Sequence, residues 1–304
     1  MKKTVVILMG GISREREISI LSGKACARAL RKKKYKVKVL DPKGNFINEI
    51  RKIKPKIVFN ALHGRFGEDG YIQSILESEK INYTHSGVLA SSIAMDKEIS
   101  KKIFINKKIN TPRFFVYNYN DGLNIHTLIK KSKINFPIVI KPINEGSSIG
   151  VYICTKKNLN KNLEKLRKYN RILVEKYIPG REIQVAVMNN KALGAIELKP
   201  KRKFYDYYAK YSSKAKTKHI MPAPMESKKY KEVLRIARKA HLSLGCKGIT
   251  RSDFRYYHNK FFLLEINTQP GMTNLSLVPE IAAYKGIKFG NLVEWMIKDA
   301  SCNR

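Results

Sequence analysis

Short apolar runs alternate with amphipathic stretches along the first part of the chain. Thr4–Met9, Tyr35–Leu40 and Lys56–Asn60 are each of strand length. The stretch running on towards Arg31 has the character of a helix, with Ser19 as a residue able to cap it. This β-α-β rhythm predicts a parallel sheet with helices on its faces. Ligands of such sheets gather outside the carboxyl ends of the strands. Two polar loops fall there, Gly10–Glu17 and His63–Gly70 (HGRFGEDG). The second could be a plain Gly-rich connector, but its His, Glu and Asp tilt it towards a site.

A helical stretch that follows Met95-Asp96-Lys97 ends near Asn110, and Thr111-Pro112 breaks it, so a new unit starts about there. Phe136–Pro142, Val151–Cys154 and Arg171–Tyr177 read as strands, and Glu182–Met188 with Leu193–Leu198 reads as a hairpin through Asn189-Asn190. Between the first two lies a Gly/Ser loop, EGSSIG, whose N–H groups and hydroxyls can fold over phosphates. Many hairpins have such loops, and lysines like Lys97 and Lys141 are usually surface charges. Segment 199–218 has no periodicity and holds eight Lys/Arg and four Tyr. A loop of that length in a compact domain is usually a lid or disordered, and basic residues interleaved with tyrosines could also bind single-stranded nucleic acid. Ser227–Leu244 is an amphipathic helix, and Asn291–Lys298 a terminal helix whose Trp295 belongs to the core.

The most informative pattern is Gly248–Gly271, two strands joined at His258-Asn259. Arg251 and Asp253 share a face of the first strand, and Glu265 and Asn267 share a face of the second, because side chains alternate. Leu264 and Ile266 are expected to point the other way. Three oxygen donors with no Cys or His beside them suit a hard cation, magnesium before zinc. A surface hairpin with ordinary charges is the competing reading. Against it, Glu265 and Asn267 interrupt the buried-looking run FFLLEI, where unpaired polar groups are costly. The Thr-Gln-Pro-Gly that follows turns the chain and can leave N–H groups facing the site.

Composition narrows the choice. The 304 residues have room for two or three domains. No apolar run reaches membrane-spanning length, and MKKTVVILMGG, though it imitates a signal peptide, reads as a buried first strand. Cys26, Cys154, Cys246 and Cys302 are scattered without a CxxC, which fits a reducing cytoplasm rather than a disulfide framework or a zinc site. The net charge of +37 raises nucleic-acid binding. The basic residues are spread along the whole chain, however, and its richness in Lys, Asn and Ile points to compositional drift. There is neither a Walker A sequence nor a GxGxxG, so a nucleotide must be held in another way.

Taken together, GGISREREIS (10–19), ALHGRFGEDG (61–70), MDK (95–97), KPINEGSSIG (141–150), VEKYIPGRE (174–182), YDYYAKY (205–211) and LLEINTQPGMTNLSLVP (263–279) resemble the D-alanine–D-alanine ligases of the ATP-grasp superfamily. The resemblance runs almost end to end. It implies an α/β, three-domain ATP-grasp enzyme: a Rossmann-like N-terminal domain (1–95) and two α+β subdomains (96–180 and 181–304) clasping the nucleotide, with a lid at 199–218. It implies that ATP drives the joining of two D-alanines through an acyl phosphate, for peptidoglycan precursors.

By position, Asp253, Glu265 and Asn267 would hold two magnesium (or manganese) ions. Lys97, Lys141 and Lys210 would contact phosphates, and Glu175, Tyr177, Ile178 and Glu182 would line the adenosine pocket. Glu15 would take the ammonium of the first substrate, with Ser147 and Tyr211 in the same hydrogen-bonded group and His63 beside the substrates. Arg251 and the Gly271 N–H would stabilise an oxyanion, and Ser276 and Leu277 would receive the second carboxylate. A cytoplasmic homodimer with no nucleic-acid or membrane partner is implied as well. Two residues depart from the family pattern: Ser252 stands where an aliphatic residue is usual, and Arg255 where an apolar one is common.

Overall fold

The computed structural model describes residues 4–44, 46–200, 217–273 and 275–304. Among these, the strands form three sheets. In the first, β1 (Thr4–Leu8) lies parallel between β2 (Lys36–Leu40) and β3 (Ile57–Asn60), with β4 (Asn82–Tyr83) beyond β3. Val5, Val6, Ile7 and Leu8 are fully buried, as an unbroken apolar run in a sheet covered on both faces must be. Helices α1 (Arg16–Lys32), α2 (Phe46–Ile53) and α3 (Tyr71–Ser78) belong to this region.

Ser19 does not cap α1, because the helix starts three residues earlier and Ser19 falls in its first turn. Its hydroxyl instead accepts from the Gly10 N–H at 2.8 Å and donates to the Ala61 carbonyl at 2.8 Å. It thereby ties together the two loops at the carboxyl end of the sheet.

Helices α4 (Val88–Met95) and α5 (Lys97–Asn106) come next. The second sheet is antiparallel, in the order β5 (Phe114–Asn118), β8 (Arg171–Lys176), β6 (Ile138–Pro142), β7 (Tyr152–Cys154). It packs on α6 (Ile125–Lys131) and α7 (Leu159–Leu166) through Ile125, Ile129, Leu159 and Leu163.

The third sheet, also antiparallel, runs β11 (Lys218–Ile220), β10 (Lys191–Lys199), β9 (Arg181–Met188), β12 (Ile249–Tyr257), β13 (Lys260–Asn267). Its core with α8 (Ser227–Ser243) also takes in Ala90, Ala94 and Phe104 of α4 and α5. Sequence reading places α5 with the central segment, yet it packs against the third sheet. A further cluster joins Val5, Ile7 and Phe59 of the first sheet to Ala186, Ile196 and Ile249 of the third. Helices α9 (Leu277–Tyr284) and α10 (Phe289–Asp299) contribute Leu277, Ile281, Leu292 and Val293 to it. Trp295 packs against this cluster, in keeping with a core role. None of the helices is long and apolar enough to cross a membrane among the described residues.

Ser252 is wholly buried on β12, and its hydroxyl has no hydrogen-bond partner among the described residues. The strand keeps its burial despite the polar replacement.

Candidate active site

The carboxyl end of the β12–β13 hairpin collects the charged groups. Arg251 pairs with Asn267 and Asp253 with Glu265 across the two strands, so all four side chains share one face. Arg251 grips Asp253 with both arms, Nε to Oδ1 at 2.7 Å and Nη2 to Oδ2 at 2.9 Å. The Oδ1 of Asn267 accepts from the Gln269 N–H at 2.7 Å.

A register shift follows Asp253: Asp253 opposes Glu265, but Phe254 opposes Leu263. Leu264 is the extra residue, and the bulge turns it towards the cleft beside Glu265 rather than into the apolar layer that strict alternation predicts.

Lys97 opens α5 behind an N-cap, Asp96, whose carboxylate accepts from the Glu98 and Ile99 N–H groups. The cap fixes the first turn and delivers the Lys97 Nζ 3.4 Å from Glu265 Oε2. The same Nζ donates to the Glu145 carbonyl at 2.5 Å, which ties the helix to the Gly/Ser loop.

Two clefts meet on this cluster. Glu15, Glu68, Ser147, Arg251, Glu265 and Asn267 line the first. The second is walled by Lys141, Glu175, Tyr177, Ile178, Glu182 and Asp253, with Val139, Val151 and Leu264 as apolar lining. Lys97, Glu145 and Glu265 border both. The second cleft holds about 760 Å³ of space, open water included.

In the first cleft, the Ser147 hydroxyl donates to Glu15 Oε1, bringing two of the three residues of the expected hydrogen-bonded group together. Ser147 and Ser148 have φ of 49° and 62°, a left-handed backbone that residues with a Cβ seldom adopt. Glu15 is buried, and a Cβ on Gly64 would come within 2.9 Å of its Oε2.

His63 lies behind the cleft rather than in its wall. Its Nδ1 is 3.2 Å from Glu68 Oε1 and its Nε2 is 3.1 Å from the Ser22 hydroxyl. Ser22 Oγ also accepts from the Met272 N–H at 3.2 Å, which links His63 to the turn after β13. In that turn a Cβ on Gly271 would come within 2.8 Å of Ser276 Oγ, and Ser276 is the residue before α9. Gly271, Ser276 and Leu277 do not line the first cleft; they stand together beyond it.

In the second cleft a buried triad holds the far wall. Glu175 takes Lys141 at 2.6 Å on Oε1 and Lys101 at 2.9 Å on Oε2. Burial alone would raise the Glu175 carboxyl, but the two ammonium groups hold it below the usual carboxylate range. Burial lowers the Lys101 ammonium to about 8, against the opposing pull of Glu175. Thr111 accepts from Lys101 at 2.6 Å. Reading the sequence missed Lys101; it sits one helical turn after Lys97, and that spacing was the available signal. Glu145 was missed as well, since its backbone carbonyl does the work. Lys210 and Tyr211 lie outside the described residues.

The donors at the hairpin suit a hard divalent cation: two carboxylates and an amide oxygen, with no sulfur or imidazole among them. Among the described residues no group of three His, Cys, Asp or Glu is arranged as a metal site, and Asn267 would have to complete the set.

Comparison with known proteins gives one consistent result. Residues 103–298 match the family described as D-ala D-ala ligase C-terminus. A D-alanine–D-alanine ligase of Pelagibacter ubique is 61% identical over the whole of both chains. One from Wolbachia pipientis wMel is 48% identical, over 98% of this chain and 94% of its own. Among solved structures, the Bacillus anthracis D-alanine–D-alanine ligase complexed with ATP superposes with a TM-score of 0.86 at 29% identity, covering 98% of this chain and 97% of that one.

Proposed function

The chain belongs to the D-alanine–D-alanine ligase family, and on that premise we propose how its own residues join two D-alanines with ATP as the driving reactant. A carboxylate oxygen of the first D-alanine attacks the γ-phosphorus, ADP leaves, and an acyl phosphate forms. The amine of the second D-alanine then attacks the acyl carbon; inorganic phosphate leaves with its electron pair and the amine gives up a proton. The product is D-alanyl-D-alanine, the dipeptide of peptidoglycan precursors.

The observation that carries this reading is the shared wall of the two clefts, where Lys97 and Glu265 face both. The nucleotide occupies the second cleft and the amino acids the first, so the γ-phosphate and the carboxylate meet at that wall. Phosphoryl transfer between anions depends on positioning and charge neutralisation more than on a strong base. Lys97 and Lys141 neutralise phosphate oxygens. When Lys141 turns to the phosphates, Lys101 remains on Glu175 and keeps it ionised to accept from the adenine amine. Glu182 accepts from ribose hydroxyls, and Tyr177 and Ile178 line the base.

Glu15, held by Ser147, takes the first ammonium group. Arg251 faces the oxyanion of the tetrahedral intermediate, and the family resemblance gives the Gly271 N–H, which stands beyond the wall of the first cleft, to the same oxygen. The start of α9, at Ser276 and Leu277, receives the second carboxylate. Asp253, Glu265 and Asn267 would hold a pair of Mg²⁺ or Mn²⁺ ions, which when bound supply positive charge to the phosphate oxygens. The free cysteines support a reducing, cytoplasmic setting, and family membership supports a homodimer.

Release of ADP against a panel of amino acids tests the reading. D-alanine is expected to trigger release, with one dipeptide formed per ADP, while L-alanine and D-lactate give none. Release of ADP at the same rate without D-alanine would contradict it.

A further inference from the structure

Arg255, one of the two residues read from the sequence as departing from the family pattern, is built into the wall of the nucleotide cleft. On β12 it follows Asp253 on the same face, and it lies directly opposite Glu182 on β9. Its Nη1 is 3.2 Å from Glu182 Oε2, and its Nε donates to the Ile178 carbonyl at 3.1 Å. Both side chains are nearly closed off from water, at 14% and 12% exposure.

The contacts join three segments. Ile178 belongs to the connection between β8 and β9, which is also pressed on β12 at Gly180, where a Cβ would stand 2.4 Å from the Tyr256 carbonyl. An apolar side chain at 255 could fill the space but could not hold a carboxylate. A guanidinium, planar and two-armed, fixes both partners at once.

We propose that Arg255 is a positioning residue for the nucleotide's sugar: it clamps Glu182 and the Ile178 carbonyl so that the carboxylate is aimed at the ribose hydroxyls before ATP arrives. A partner that fixes the Glu182 carboxylate before ATP arrives lowers the cost of ordering it on binding. Arg255 thereby sets preference for a ribonucleotide over its 2′-deoxy counterpart. The proposal rests on the reading of Glu182 as the acceptor for the ribose.

The test uses the full chain with Arg255→Met, Arg255→Lys and Glu182→Gln, assayed with ATP and with 2′-deoxy-ATP at saturating D-alanine. Arg255→Met is expected to raise KM for ATP about tenfold, with kcat changed by no more than about twofold and KM for D-alanine unmoved. Its preference for ATP over 2′-deoxy-ATP should fall to that of Glu182→Gln. Arg255→Lys, which keeps the charge but not the fork, should fall between, and it carries the test if the methionine variant does not fold.

An unchanged KM for ATP and an unchanged preference in the Arg255 variants, with the preference lost in Glu182→Gln, would overturn the role of Arg255 alone. Unchanged preference in Glu182→Gln too would remove the ribose reading together with the proposal. A merely structural ion pair would lower the thermal midpoint without moving the ratio between the two nucleotides, and that outcome also overturns it.

Discussion

Arg251→Met is expected to lower kcat by about 10²–10³-fold, the usual cost of losing one preorganised oxyanion donor. Arg251 borders the cleft assigned to the amino acids, so it faces the carbon at which the tetrahedral intermediate forms. The geometry adds a second consequence. Arg251 also holds both oxygens of Asp253, which is 6% exposed. Methionine leaves that carboxylate without its fork, a loss on the order of 1–3 kcal/mol in stability. Turnover and thermal midpoint of the purified variant, measured side by side, separate the two effects. Arg251→Lys keeps a charge near Asp253 but cannot grip both oxygens, so it should recover more of the stability than of the turnover. Turnover of Arg251→Met within a few-fold of the parent would show that the oxyanion is stabilised by other groups.

Glu265→Gln is the second large effect. Glu265 is the carboxylate that borders both clefts and lies 3.4 Å from Lys97. Glutamine keeps the shape and removes the charge. Changes to groups that only orient metal ligands already cost about 10–100-fold, so loss of a ligand itself should cost at least about 100-fold in turnover. The magnesium concentration giving half the maximal rate should rise with it. The rate against magnesium for parent and variant checks this. The same half-saturating concentration in both, with turnover preserved, would take Glu265 out of the ion site.

Much of this arrangement was legible in the sequence because it rests on short-range rules. The first three strands followed from apolar runs, and the shared face of Arg251 and Asp253 from strand alternation. Leu264 escaped that rule because a bulge inserts one residue after the register has been set, and bulges leave no mark in hydropathy. Ser19 looked like a cap since its residue type favours one, but a loop-to-loop hydrogen bond uses its hydroxyl instead. Lys101 reads as one more lysine among many; only its burial against Glu175, 74 positions away, reveals it. The place of His63 behind Glu68, and of α5 on the third sheet, depended on long-range packing that no local pattern encodes. The roles given to Lys97, Glu175 and Ser276 came from family resemblance. Spacing alone left each of them an ordinary polar residue.

The most direct test follows the oxygen atoms. D-alanine carrying ¹⁸O in both carboxylate positions is incubated with the enzyme, ATP and magnesium, and the inorganic phosphate is analysed by mass. Attack of the carboxylate on the γ-phosphorus across the shared wall, followed by expulsion of phosphate from the acyl carbon, places one ¹⁸O in the phosphate for each dipeptide made. Dipeptide formed alongside phosphate that contains no label would mean that the carboxylate never attacked phosphorus, and the two clefts would not be joined by the chemistry described.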